Sequence, residues 1–322
     1  MPKSNLPKSK LLVSKPKPLA VVALGGNALI ENEQNSSLDM QEEKAKTALS
    51  SLVHLHEKYN LVITHGNGPQ VGNLVVRSEL ANDKAYPVSL DYCVAQSQGE
   101  IGFLLSQAIE YAFEKQKKKV DVVAILTRAE VSKDDKAFLN PTKPIGYFYS
   151  VEKTAEWKAK GLSFIEDAGR GYRRIVPSPI PVAIPESHSI ANLAKRGIIV
   201  IAVGGGGIPI VGDKGVEAVI DKDMASALLA TIINAKLFLI LTAVDAVYLD
   251  YKKPSQRQIS KMNIKECKKY LDEGHFLSGS MKPKIEAALK FLEAGGEKVI
   301  ITEFDQVKNA LAGKSGTTIT RG

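Results

Sequence analysis

The stretch LAVVALGGN, residues 19–27, decides the fold class. Its first six residues are apolar without interruption, lacking the polar alternation of a sheet with one wet face. They predict a strand from Leu19 to Leu24 buried on both sides. Gly25, Gly26 and Asn27 then end the run, and paired glycines at a strand end let backbone approach a ligand closely.

The same unit recurs outward along the chain. Ala45, Ala48, Leu49 and Leu52 fall at i, i+3, i+4 and i+7 and predict a helix, with Asp39 as its N-cap. A second strand, Leu61 to Thr64, ends in His65-Gly66-Asn67-Gly68; helical stretches follow near 70–82 and 91–115, then a third strand from Val122 to Leu126. From about Thr127 to Pro185 the alternation stops. Prolines at 141, 144, 177, 179, 181 and 185 punctuate a polar, aromatic-bearing segment that reads as an inserted subdomain. The pattern resumes with Ile198 to Val203 before Gly204-Gly205-Gly206-Gly207, and with Val219-Ile220 before a helix carrying Ala225, Leu228, Leu229 and Ile232. Leu237 to Leu241 is a further strand. A helix marked by Ile285, Ala288, Leu289 and Leu292 opens at Ser280 with Pro283 in its first turn, and Val299 to Thr302 and Thr317 to Thr320 are expected to close the sheet. Strands alternating with helices predict an α/β protein with a mostly parallel sheet.

Composition narrows the functional classes. With 322 residues, 44% hydrophobic and 24% charged, the chain can bury a sizeable core. No apolar run reaches the roughly 20 residues of a membrane span, and no secretory signal opens the sequence, so a cytoplasmic protein with no membrane partner is expected. Cys93 and Cys267 stand alone, in no metal or redox spacing. The formal charge is +8, but Lys3, Lys8, Lys10, Lys15 and Lys17 contribute five of it within residues 1–19, which hold four prolines and no acid. Residues 1–18 therefore read as a disordered basic tail, a weak phosphate-attracting or targeting role being the alternative. The body carries only +3, so no nucleic-acid partner is expected.

Three glycine-rich strand ends, at 25–27, 66–68 and 204–207, point to an anion site at the carboxyl edge of a parallel sheet, although any one alone is explained by a tight turn. Gly313-Lys314-Ser315 is no Walker loop, because Lys308 stands where its first glycine belongs, and no strict GxGxxG occurs. Phosphoryl transfer instead needs cations placed on the migrating group. Lys222, between Asp221 and Asp223, begins a helix where its charge opposes the dipole. Lys284 also lies in a first helical turn, and Lys143 is held between Pro141 and Pro144. Each taken singly is equally consistent with a surface lysine. His54 and His56, two apart on a helix, point to different faces, which argues against a metal pair. Arg170, Arg173 and Arg174 read as an anion patch or, alternatively, as salt-bridged surface.

Seven segments together carry a family resemblance: VVALGGNALI (21–30), THGNGPQVGNL (64–74), AFLNPTKPIG (137–146), EDAGRGYRRIVPSP (166–179), GGGGIPIVG (204–212), GVEAVIDKDMAS (215–226) and GHFLSGSMKPKIEAA (274–288). From about Leu19 to Thr320 the chain resembles the carbamate kinases of the amino acid kinase superfamily. The likeness implies a three-layer α/β/α sandwich with a protruding subdomain. It implies a single domain over 19–322, with an N-terminal lobe of about 19–213 for carbamate or carbamoyl phosphate, a subdomain of about 128–185, and a C-terminal lobe of about 214–322 for the nucleotide. It implies catalytic roles for Lys143, Lys222, Lys284 and Asp223; a substrate cradle of Gly25, Gly26, Asn27, Gly66, Asn67 and Gly68; and nucleotide contacts from Gly205, Gly206, Lys222, Ala243, Val244, Tyr248, Met281 and Lys284. Mg²⁺ would ride mainly on the ATP or ADP phosphates. The resemblance also implies a homodimer and a place in arginine (deiminase pathway) or agmatine breakdown, run towards ATP. Arg128-Ala129-Glu130 departs from the family's Thr-Gln-Val-like sequence. Another small-carboxylate kinase of the superfamily, or a non-catalytic nucleotide sensor, are the alternatives.

Overall fold

The computed structural model describes residues 17–25, 37–159, 161–166, 171–276 and 280–322. Gly26, Asn27, Arg170 and nearly all of the basic tail lie outside the described residues.

Leu19–Leu24 is fully buried and central in an eight-stranded sheet. The strand order is Lys261–Asn263, Thr317–Thr320, Lys298–Thr302, Leu237–Leu241, Leu19–Leu24, Asn60–His65, Ile199–Ile201, Val122–Ala124. Every neighbouring pair is parallel except Lys298–Thr302 with Thr317–Thr320. Side chains alternate across a strand, so Leu19, Val21 and Ala23 enter one core while Ala20, Val22 and Leu24 enter the other. The helices Ser187–Lys195, Lys222–Ile232, Ile264–Asp272 and Met281–Glu293 cover the first face. Leu38–Ala48, Leu52–Lys58, Leu90–Lys115 and Val307–Leu311 cover the second. Each Val or Leu so buried contributes roughly 1.5–3 kcal/mol. The three-layer α/β/α sandwich expected from the family resemblance is the fold the chain adopts.

Some expected elements shift for identifiable reasons. Ser37, not Asp39, caps the first helix, accepting from Met40 N at 3.2 Å, and Asp39 falls in the first turn. That helix breaks at a 3₁₀ turn, Leu49–Ser51, and restarts as Leu52–Lys58. Val122–Ala124 stops short because it is the sheet's edge, leaving Leu126 exposed. Val219 and Ile220 are not a strand; Val219 packs with Ile145 and Val176 of the inserted segment and its N donates to Pro177 O at 3.0 Å, while Ile220 enters the main core. Lys261–Asn263, rather than Thr317–Thr320, ends the sheet.

Past Val122–Ala124 the chain leaves the central sheet. Arg128–Val131 joins a four-stranded sheet with Pro181–Ala183, Ile208–Val211 and Lys214–Gly215. Lys143–Tyr149, Tyr172–Val176 and Ser163–Glu166 make a separate antiparallel sheet, an arm flanked by the helix Val151–Ala159. The arm lies along the helix Gly68–Leu80 so closely that a Cβ on Gly72 would meet Gly146 Cα at 2.8 Å. Farther along the arm, Tyr149 Oη donates to Glu79 Oε2 at 3.0 Å. Among the described residues no helix is long and apolar enough to cross a membrane.

Candidate active site

Parallel strands deliver their glycine junctions to one edge, and the strand order makes those junctions neighbours. Gly25 N donates to Leu241 O at 2.9 Å and Gly66 N to Leu24 O at 3.2 Å, stitching three adjacent strand ends together. The next strand end, Gly204–Gly207, lies against the second. A Cβ on Gly204 would be 2.5 Å from His65 Nε2, and one on Gly205 would be 2.1 Å from Asn67 Nδ2, so this approach admits only glycine. Val203, Gly205, Gly206 and Gly207 all have positive φ, and for a β-branched valine at φ 53° that conformation is strained. His65 is buried, and the loss of hydration pushes its pKa down to about 4, so it is neutral at physiological pH.

Asn67 precedes the helix Gly68–Leu80 but does not cap it with its side chain; its amide donates to Ser97 Oγ at 2.8 Å. The adjacent Gln98 donates to Thr127 O at 3.0 Å and Gly204 O at 2.9 Å, and accepts from Thr127 N at 2.8 Å. Both residues are buried in the helix Leu90–Lys115, holding the cradle from behind. Sequence reasoning passed over them. Their signal was two polar residues on the buried stripe that runs through Val94, Ile101 and Leu105.

The lysines meet at the start of the helix Lys222–Ile232. Asp221 caps it, its Oδ1 accepting from Asp223 N at 3.0 Å and Met224 N at 3.3 Å. Its Oδ2 accepts from Lys143 Nζ, on the arm, at 3.2 Å. Asp223 lies between the other two lysines: Lys222 Nζ is 2.7 Å from Oδ1, and Lys284 Nζ 3.1 Å from Oδ2. Lys222, Asp223 and Lys284 are largely buried, whereas the Lys143 side chain is 40% exposed. Burial alone would raise the Asp223 pKa; the Lys222 and Lys284 charges reverse that and hold it at about 2. Burial draws Lys222 below the ordinary lysine range, Asp223 opposing and Lys284 reinforcing the shift. Ser226 Oγ, donating to Lys222 O at 2.6 Å and 2.6 Å from Thr64 Oγ1, ties this helix to the strand Asn60–His65.

Beside the Lys284 helix opens an apolar pocket, partly open to solvent, lined by Val244, Tyr248, Tyr251, His275, Phe276 and Met281 among others. Val244, Tyr248 and Met281, three of the residues expected to contact the nucleotide, are among this lining. Ala243 is exposed and not in this lining, and Gly205 and Gly206 lie against Asn67 and Ile220 respectively. Tyr251, His275 and Phe276 were not foreseen. Arg174 pairs with Glu217 at 3.0 Å, which favours the salt-bridged reading over an anion patch at that position, and the Arg173 guanidinium lies over the Phe148 ring. His54 is exposed beside Glu57, while His56 packs edge-on to Phe113.

Comparison with known proteins identifies the family. The amino acid kinase family matches residues 18–303. Carbamate kinase of Thermococcus kodakarensis is 42% identical over 94% of this chain and 98% of its own length. That of Staphylococcus haemolyticus is 46% identical over 94% and 99%. The solved structure of carbamate kinase from Giardia lamblia bound to AMP-PNP superposes with a TM-score of 0.90 at 38% identity, covering 95% of this chain and 99% of that one. On matches of this length and identity, the chain belongs to the amino acid kinase family and, within it, to the carbamate kinases.

Proposed function

We propose that the protein catalyses reversible phosphoryl transfer, ATP + carbamate = ADP + carbamoyl phosphate. The observation that carries this reading is the convergence of Lys143, Lys222 and Lys284 on Asp221 and Asp223. Transfer of a phosphoryl group asks the protein chiefly for positioning and for positive charge where negative charge is shared between attacking and leaving oxygens. Lys222 and Lys284, held apart by one carboxylate, offer two such charges from a rigid base. Lys143 offers a third from the arm. Gly25, Gly66, Asn67 and Gly68, with Gly26 and Asn27, would cradle carbamate or carbamoyl phosphate, making residues 19–213 the lobe for that substrate. The cavity lined by Val244, Tyr248 and Met281 would take the adenine, making 214–322 the nucleotide lobe.

The donor set fits a Mg²⁺ ion carried by the nucleotide rather than by the protein, since Asp221 and Asp223 are both already engaged by lysines. When bound, Mg²⁺ would neutralise phosphate charge during transfer. By kinship with carbamate kinases we also infer a cytoplasmic homodimer working towards ATP in arginine or agmatine breakdown. Purified protein given carbamoyl phosphate, ADP and Mg²⁺ should make ATP; no ATP under those conditions overturns the assignment. Lys143→Ala, Lys222→Ala and Lys284→Ala should each lower kcat by roughly 10² or more.

A further inference from the structure

Antiparallel register in the arm pairs Lys143 with Val176 and Ile145 with Arg174, so two cations emerge near one another from adjacent strands. Both reach the same short segment of the body. Lys143 Nζ contacts Asp221 Oδ2 at 3.2 Å, and Arg174 Nη2 contacts Glu217 Oε2 at 3.0 Å. The other Glu217 oxygen, Oε1, accepts from Leu90 N at 2.9 Å, at the start of the 26-residue helix Leu90–Lys115. Ser89, the N-cap of that helix, makes no capping bond with its side chain, and Glu217 satisfies one of the helix's free N–H groups, that of Leu90, from a distance. The bond from Val219 N to Pro177 O fastens the same segment just beyond the end of the arm strand Tyr172–Val176.

Glu217 therefore has one oxygen on the body and the other on the arm. Its side chain is 51% exposed, and an ion pair so placed adds little to stability. Its geometric effect is larger, because Arg174 lies on the strand hydrogen-bonded to the one that carries Lys143. A shift of the order of 1 Å at a reacting charge can cost about 10²-fold in rate.

We propose that Arg174 and Glu217 are a positioning pair for phosphoryl transfer, fixing the arm against the 217–221 segment so that Lys143 is held over Asp221 and the Lys222 helix. The inference rests on the reading of Lys143 as a group that contacts the transferring phosphoryl. Arg174 and Glu217 touch no reacting atom themselves.

A double-mutant cycle on kcat tests this, measuring ATP formation from carbamoyl phosphate and ADP. Arg174→Met and Glu217→Gln should each lower kcat by about 10-fold while the KM for ADP stays within about 2-fold. Arg174→Lys, which restores the charge, should recover part of the loss. In a Lys143→Ala background the Arg174→Met change should have no further effect on kcat, because the group it positions is gone. If Lys143→Ala is slow and Arg174→Met multiplies that loss in full, the positioning role is wrong and the Lys143 reading stands. If Lys143→Ala turns over normally, the Lys143 reading fails, and with it the inference. An unchanged kcat in Arg174→Met overturns the positioning role alone.

Discussion

Replacing Asp223 with Asn keeps the side-chain shape and removes the one charge shared by two buried ammonium groups. At the observed separations of 2.7 Å and 3.1 Å, gross attraction is about 6 and 5 kcal/mol at an effective dielectric of 20. Dehydrating three ions offsets much of that, so the net value of the cluster is small. Removing one partner is different. Lys222 and Lys284 are left buried with no counter-charge between them, a change that costs about 3–5 kcal/mol. The melting temperature should fall on the order of 10 °C, followed by far-UV circular dichroism. Because Lys222 can shed its proton to relieve the repulsion, the deficit should shrink as the pH rises. In the parent protein Asp223 is depressed from its ordinary 3.8 to about 2, so its contribution is present above the higher value and lost as pH falls through the lower. Asp223→Asn should lack that acid limb. A variant that melts within about 2 °C of the parent at every pH would refute the claim that this carboxylate holds the lysines.

Three further outcomes are expected. Gln98→Leu orphans Thr127 N, while the carbonyls of Thr127 and Gly204 keep their bonds from Ile208 N and Gly207 N, and should lower unfolding free energy by roughly 1–3 kcal/mol in urea titrations. Gly72→Ala drives a methyl against the Gly146 backbone, costing about 1–3 kcal/mol and, by lifting the arm, lowering kcat; the melting curve and the ATP assay read the two effects separately. His56 and His65 are both held at about 4 by burial. The unfolded chain binds protons the fold refuses, so their stabilisation is whole above about pH 6.5 and declines towards pH 4, with His56→Gln removing about half of that slope.

How far the sequence disclosed this architecture depends on the range of the interaction concerned. Leu237–Leu241 lies where its apolar run predicts, and Leu19–Leu24 does too, because a strand buried on both faces writes its whole length in apolar residues. Ile199–Ile201 is shorter than its run, since Val203 turns left-handed to start the glycine junction. Val219 and Ile220 look like a strand to periodicity alone, which cannot distinguish a sheet strand from a loop that packs one residue against the arm and the next into the main core. The lysines were legible through their motifs, but their partners were only partly so. Asp223 follows Lys222 directly, whereas Lys143 finds Asp221 across 78 positions and Arg174 finds Glu217 across 43. Local propensity carries no information about such pairings; only the strand order, once folded, brings them together.

The central place of Leu19–Leu24 has a consequence for how the chain is made. Its neighbour on one side, Asn60–His65, follows soon after, but on the other side Ala20 waits for Leu237. At about 5–20 residues per second, a ribosome leaves that flank open for roughly 10–40 s. Throughout that interval a wholly apolar strand presents a bare row of peptide groups to its surroundings, a natural docking point for a chaperone or for another nascent copy. A ribosome-bound chain arrested before residue 237 should therefore be captured by holdases, and one arrested well beyond residue 302, with the strands Leu237–Leu241 and Lys298–Thr302 both clear of the exit tunnel, should be released.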